Sequence, residues 1–207
     1  MLKKLLIANR GEIAIRIARS AAEMGITTVS IFASDDAQSL HTRKTDEARG
    51  LSGTGAAAYL DADQIVTVAR ETQCDAIHPG YGFLSENADF ARACTAADLI
   101  FVGPDAETLA LFGDKAQARA LAARSDVPIL KGTDAGIDAD AAAVFLASLG
   151  PEAAIMLKAV AGGGGRGMRV VHHADELEAA FERCRSEALS AFGDGTLYAE
   201  EFFPRAR

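Results

Sequence analysis

Cysteine is scarce in this 207-residue sequence, with only Cys74, Cys94 and Cys184, an odd number and no CxxC spacing. That excludes a disulfide framework and a thiolate zinc site, and leaves buried, reduced thiols of the kind a cytoplasmic chain carries. Basic residues are outnumbered. There are 21 Lys and Arg against 29 Asp and Glu, a formal charge of −8. Neutralising a phosphate backbone needs the opposite balance, so no nucleic-acid partner is expected, although one local site for a small phosphate ligand is compatible with it. No apolar run approaches the ~18 residues of a membrane span. The N-terminal run, Leu5–Ala8, is followed at once by Arg10 and Glu12 and is too short for a secretory core. The expectation is a cytoplasmic protein with no membrane partner. Metal-ligand spacing is missing among the histidines. His78 stands alone before Pro79, which suits a structural hydrogen-bonding role, and a strand would point His172 and His173 to opposite faces.

Apolar residues make up 49% of the chain and charged residues 24%, enough apolar content for a substantial core. Leu5–Ala8 reads as a buried strand entering an Asn-Arg-Gly turn. Ile13, Ile17, Ala21 and Met24 then recur at helical spacing, with Gly25 as the stop. The β-branched run Thr27–Phe32 predicts a second strand. A polar loop leads to a short strand near Ala48–Leu51. Asp61 and Gln64 form a capping-box pattern ahead of Ile65, Val68 and Ala69. Strands at "DAIHPG" and "LIFVG" alternate with helices at Asn87–Ala97 and Pro104–Phe112. This alternation predicts a parallel sheet covered on both faces, with ligands beyond the carboxyl ends of the strands, where "NRGE", "HPGYGF" and "GPDAE" lie. A helix from Asp114 to about Arg124 leads through "SDVPILKGTDAG" to a second, smaller α/β unit. Its order is helix Asp140–Leu149, strand Ala153–Lys158, a glycine loop, strand Met168–His172, helix Asp175–Leu189 capped by Asp175 with Glu178, and strand Thr196–Phe202.

The glycine loop is the richest local signal. Five of the six positions from 162 to 167 are glycine, interrupted only by Arg166. A P-loop needs Lys-Ser/Thr after its last glycine, and Met168 stands there. Gly162, Gly164 and Gly167 satisfy GxGxxG, but "MRVV" reads as a strand and not as the helix a dinucleotide fingerprint requires. The remaining reading is a hairpin flap. Its backbone N–H groups can approach a polyphosphate closely, and its glycines let it open and close. Lys158, at the end of the preceding strand, and Arg166, at the tip, can reach phosphate oxygens. The plainer reading is a surface loop without a ligand. It leaves the entropy cost of ordering so many glycines uncompensated.

Five motifs in order carry a family resemblance: "LIANRGEIAIRI", "AIHPGYGFLSEN", "FVGP", "GDK" and "GGGGRGMRVV". Over essentially its whole length the sequence resembles the N-terminal part of biotin carboxylase. That enzyme is the ATP-grasp ligase of acetyl-, propionyl- and pyruvate-type biotin-dependent carboxylases, the first of which serve fatty acid biosynthesis. The resemblance implies a reaction in which ATP and bicarbonate give carboxyphosphate, whose carboxyl group passes to biotin on a carrier. It implies a Rossmann-like pre-ATP-grasp domain over residues 1–113. The N-terminal part of an ATP-grasp domain would follow over 114–207, as a linker helix at 114–132 and a lid sub-domain at 133–207. It implies ATP contacts from Lys115, Lys158, Gly162, Gly163, Gly164, Gly165, Arg166, Gly167, Met168 and Glu200. Tyr81 and Gly82 would line the biotin pocket. The implied partners are a biotin carboxyl carrier, a carboxyltransferase component and a second copy of the chain. Arg19 and Glu23, four apart on the first helix, read as a surface ion pair or as part of such a dimer contact.

In the family, the ligands for Mg2+ or Mn2+, the base for bicarbonate and the arginine beside biotin all lie beyond the segment matched here. No catalytic or metal residue is therefore assigned, and these 207 residues alone are expected to bind nucleotide weakly and turn over negligibly. The sequence also departs from the family at "GPEAAIMLK", where "GYPVIIK" is usual. Two alternatives stay open. One is a non-catalytic, truncated or regulatory nucleotide-binding module. The other is an NAD-dependent oxidoreductase built on the first strand and helix, although "NRGE" lacks the glycine spacing that reading needs.

Overall fold

Three short apolar or β-branched strands, buried for most of their length, form the centre of a five-stranded, wholly parallel sheet with more exposed strands at its edges, in the spatial order Glu47–Gly50, Thr27–Phe32, Lys4–Ile7, Ala76–His78, Ile100–Phe101. The computed structural model describes residues 2–161 and 167–204, the side chains of Lys115 and Ala116 excepted. It divides into two units, Met1–Gly113 and Asp114–Arg207. The first runs β1 (Lys4–Ile7), α1 (Gly11–Glu23), β2 (Thr27–Phe32), β3 (Glu47–Gly50), α2 (Gly55–Ala58), α3 (Ala62–Glu71), β4 (Ala76–His78), α4 (Ala88–Ala96), β5 (Ile100–Phe101) and α5 (Ala106–Gly113). Alternation along the strands sends Leu6, Val29, Ile31 and Ile77 to a core with Ile65, Val68 and Ala69 of α3 and Phe90 and Cys94 of α4. Leu5, Ile7 and Ala76 face the other way, onto Ala14, Ile17, Ala18 and Ala21 of α1. Strand order reverses between β1 and β4, which opens a crevice at the carboxyl ends of those two strands.

The predicted capping box is half formed. Asp61 Oδ1 accepts from the Gln64 N–H at 3.0 Å, but Gln64 Oε1 accepts from the Ser52 N–H at 2.5 Å. Gln64 thus ties down a neighbouring loop where a reciprocal cap was expected. Arg19 and Glu23 are both exposed and make no ion pair among the described residues.

The second unit runs α6 (Lys115–Arg124), α7 (Ala139–Leu149), β6 (Ile155–Ala159), β7 (Met168–Val171), α8 (Ala174–Phe192) and β8 (Leu197–Glu201). Its sheet is antiparallel in the order β7-β6-β8. Ile155, Leu157 and Ala159 of β6 and Leu197 and Ala199 of β8 pack on Leu146 of α7 and Phe181, Cys184 and Ala188 of α8. The helix read from Asp114 to about Arg124 is observed as α6, and the rest of the linker helix expected over 114–132 is not helical. Asp126 then turns the chain at φ 53°, and Pro128 cannot donate to a continuing helix. Residues 131–133 run along β8 instead: the Glu201 N–H donates to the Lys131 carbonyl, the Thr133 N–H donates to the Ala199 carbonyl, and Gly132 bridges Glu200. The cap assigned to Asp175 is also displaced. α8 starts at Ala174, with His173 at the cap position and no side-chain cap bond, so Asp175 lies within the first turn, where its charge suits the helix dipole. Among the described residues no helix is long and apolar enough to cross a membrane.

Candidate functional site

Because β6 buries Ile155, Leu157 and Ala159 against the helices, Met156 and Lys158 face the opposite side. Register places Lys158 between Met168 of β7 and Tyr198 of β8, and Met156 opposite Glu200. The Lys158 ammonium reaches diagonally to Glu200 Oε2. The other carboxylate oxygen, Oε1, accepts from Arg119 Nη1 at 2.8 Å. Arg119 Nη2 also donates to the Leu130 carbonyl at 2.8 Å. Glu200 is nearly buried, its side chain 9% exposed, while Lys158 and Arg119 remain 27% and 26% exposed. One carboxylate thus holds two cations, a cluster with a net positive charge on an open face. Gly132 is fitted to this cluster: a Cβ there would lie 2.8 Å from Arg119 Nη2 and 3.0 Å from the Ala199 carbonyl. A cavity of about 210 Å³ adjoins, lined by Arg119, Thr133, Val160 and Tyr198 among others. Burial, and then the Glu200 charge, raise the Tyr198 phenol above its ordinary value, which keeps it neutral.

The glycine segment joins two antiparallel neighbours, since Lys158 on β6 pairs with Met168 on β7. No helix follows it, so the geometry a dinucleotide fingerprint depends on is absent here. Gly162, Gly163, Gly164, Gly165 and Arg166 lie outside the described residues. Gly167 closes the segment at φ 67°, its carbonyl accepting from the Ala159 N–H at 2.8 Å and from Cys184 Sγ at 3.3 Å. Met168 is exposed beside it. The backbone of Lys115 opens α6 one turn ahead of Arg119.

In the first unit, the crevice between β1 and β4 holds the turn that carries Tyr81 and Gly82. Asn9, at the end of β1 and 2% exposed, donates through Nδ2 to the carbonyls of Pro79 at 2.7 Å and Tyr81 at 2.9 Å. His78 Nδ1 accepts from the Gly80 N–H at 3.0 Å, and burial lowers the imidazole pKa, so the ring is a neutral acceptor. The turn is held while the Tyr81 ring stays exposed, and Gly82 sits at φ 65°. A groove of about 450 Å³ beside it is bordered by Tyr81, His78, Arg16 and Val102. Arg10, next to Asn9, grips the buried Asp36 with Nε at 2.5 Å and Nη2 at 2.8 Å. Tyr59 and Ser39 hydroxyls add donations to Asp36 at 2.9 and 2.8 Å. These bonds, that of Arg10 foremost, hold the Asp36 carboxyl well below the usual carboxylate range, and burial pushes the Tyr59 phenol up to about 12.

Sequence reasoning did not find Arg119 or Asn9. Arg119 is 81 positions from its carboxylate and sits among alanines; its only local signal is its place one helical turn after Lys115. Asn9 was visible only as part of a turn. Among the described residues no cluster of three or more His, Cys, Asp or Glu side chains could hold a metal ion. Glu200 is taken up by two cations, so the described residues do not fit magnesium or manganese.

Residues 1–109 match the family model described as biotin carboxylase, N-terminal domain, and residues 114–207 match carbamoyl-phosphate synthase L chain, ATP binding domain. The chain is 50% identical to human mitochondrial pyruvate carboxylase over 210 residues, covering 100% of this chain and 18% of that protein. It superposes on a Campylobacter jejuni biotin carboxylase–beta-gamma-ATP complex with a TM-score of 0.91 and 40% identity, covering 98% of this chain and 46% of that one. For the biotin carboxylase domain of a single-chain bacterial carboxylase, the TM-score is 0.84 and the identity 49%, covering 99% and 42%. The chain therefore spans about a fifth of the curated relative and under half of the solved domains.

Proposed function

The chain belongs to the biotin carboxylase family, a family of carbon–nitrogen ligases, and from that membership we propose that it serves the ATP-dependent carboxylation of carrier-bound biotin by bicarbonate. The second unit would hold the nucleotide phosphates and the first would meet biotin. The single observation that carries this reading is the Lys158–Glu200–Arg119 cluster on the open face of the sheet whose strands β6 and β7 flank the glycine segment. An anionic ligand suits a cluster of two cations and one carboxylate. ATP supplies the phosphoryl group that activates bicarbonate. Lys158 binds its phosphates, helped by Lys115. The segment from Gly162 to Met168 contributes further contacts to ATP, and Glu200 stands beside the adenosine edge. Tyr81 and Gly82, on a turn pinned by Asn9, line the approach for biotin.

The 50% identity to a pyruvate carboxylase supports a pyruvate-type parent over one feeding fatty acid biosynthesis. Such a parent works with a biotin carboxyl carrier, a carboxyltransferase and a second copy of the chain. Three buried, unpaired cysteines suit a reducing compartment such as the cytoplasm. Taken alone, the 207 residues bind nucleotide weakly and leave bicarbonate-dependent ATP cleavage negligible. Calorimetric titration with ATP and with NAD tests the reading. ATP binds, NAD does not, and Lys158→Gln weakens ATP by about tenfold or more, the loss of one charged hydrogen bond. Binding of NAD but not ATP, or an unaltered ATP affinity in the variant, overturns it.

A further inference from the structure

Lys158 faces competing demands: to bind phosphate it has to share its ammonium with, or turn from, Glu200, a carboxylate whose side chain is only 9% exposed. Drawing the ammonium away would strip that carboxylate of a partner, and an unpaired buried charge is strongly unfavourable. The structure offers a way out, because the second oxygen of Glu200 is held independently by Arg119. Arg119 is itself fixed by the Leu130 carbonyl and seated over Gly132, where a Cβ would collide with its guanidinium.

We infer that Arg119 is a positioning residue for polyphosphate binding: it stays with Glu200 as the standing counter-ion, so that Lys158 can turn to phosphate without stranding a buried carboxylate. It also keeps the three-residue cluster net positive; without it, Lys158 and Glu200 cancel. On this view the Glu200 side chain competes with phosphate for Lys158, with both of its oxygens facing cations. The guanidinium suits the fixed role because its planar fork bonds Glu200 and Leu130 together, whereas the flexible ammonium of Lys158 suits the mobile one. The inference rests on the proposed phosphate contact of Lys158, and the test separates the two.

Inorganic triphosphate is the probe, titrated calorimetrically into the 207-residue chain, because it leaves out any contact to adenosine. Arg119→Gln is expected to weaken triphosphate binding by about tenfold, as Lys158 becomes the sole partner of Glu200. Arg119→Gln combined with Glu200→Gln restores the affinity to within about threefold, since no carboxylate then detains Lys158. Arg119→Lys keeps the charge but loses the fork, and is expected to fall between wild type and Arg119→Gln. A merely structural arginine would lower the melting temperature and would not be rescued by removing the carboxylate. If Arg119→Gln binds as wild type, or the double variant remains as weak as the single, the inference is overturned while the Lys158 reading stands. If Lys158→Gln binds triphosphate as wild type, the phosphate reading itself falls. Should Arg119→Gln fail to fold, Glu200→Gln alone decides: affinity equal to or tighter than wild type supports the inference, and a loss overturns it.

Discussion

Gly80 and Asn9 are fitted to each other: a Cβ on Gly80 would lie 2.7 Å from Asn9 Nδ2, the nitrogen that donates to the carbonyls on either side of that glycine. The turn at the end of β4 is thereby locked to the end of β1, at the point where strand order reverses. Gly80→Ala meets both a positive φ of 70° and this contact. It is expected to cost about 2 kcal/mol or more. Asn9→Ala leaves two carbonyls without their donor, at about 1–3 kcal/mol. Urea unfolding followed by far-ultraviolet circular dichroism reads both. A Gly80→Ala protein with an unchanged midpoint would mean that the turn relaxes freely and that Asn9 does not hold it.

Gly167 is constrained in a similar way at the end of the glycine segment. It sits at φ 67°, and a Cβ would come within 2.9 Å of the Ala159 Cβ, backbone-adjacent and unable to swing aside. Gly167→Ala should lower the melting temperature by at least about 4 °C. A companion Gly193→Ala has a positive φ of 74° but nothing within 4 Å of its Cβ. It carries the backbone strain without the collision and should lose less. Equal losses in the two melting curves would remove the packing argument.

These positions show what was legible in the sequence. The parallel sheet could be read because its central strands are apolar or β-branched runs closed by turns, and Thr27–Phe32 was placed to the residue. The strands on either side of the glycine run could be read from "AIMLK" and "MRVV", which excludes the helix-based phosphate loops. Helix starts were less legible. Asp175 and Glu178 resemble a cap, yet α8 begins earlier, since its entry is fixed by the strand before it. The polar couplings were not legible at all. Arg119 with Glu200, Arg10 with Asp36 and Asn9 with Tyr81 each join residues 26 or more positions apart. No local pattern encodes such pairs; the sheets bring them together.

The three thiols give a third expectation. Burial raises the pKa of each, that of Cys94 to about 11. The reactive thiolate is therefore depleted at pH 8 and shielded as well. Ellman's reagent should label none of Cys74, Cys94 and Cys184 promptly in the folded chain and all three in urea. Prompt release of one equivalent from folded protein would show an open thiol and contradict the packing of Cys94 against Phe90 and Leu99 in the first core.

Asp36 gives the pH dependence. Its folded pKa lies below the unfolded value of about 3.9, chiefly through the two bonds from Arg10. A depressed carboxyl pKa means the unfolded state binds more protons over the intervening range, so stability rises with pH there. The contribution is complete well above pH 4 and is lost as pH falls through the folded value. Asp36→Asn keeps the shape but gives up the charge, and Arg10, 49% exposed, can turn to water. Its cost at pH 7 should be about 2 kcal/mol, short of the full penalty for breaking a buried pair. Urea midpoints at pH 7, 5, 4 and 3 read the trend: the gap between wild type and Asp36→Asn should hold from pH 7 to 5 and narrow below 4. Tyr59→Phe removes the hydroxyl that both donates to Asp36 and accepts from the Ala33 N–H at 3.1 Å. It should destabilise at pH 7, and its gap should also narrow in acid, because part of that bond is to the charged carboxylate. A gap for Asp36→Asn that stays constant from pH 7 to 3 would show that the ion pair contributes nothing, leaving shape alone to hold the turn after β2.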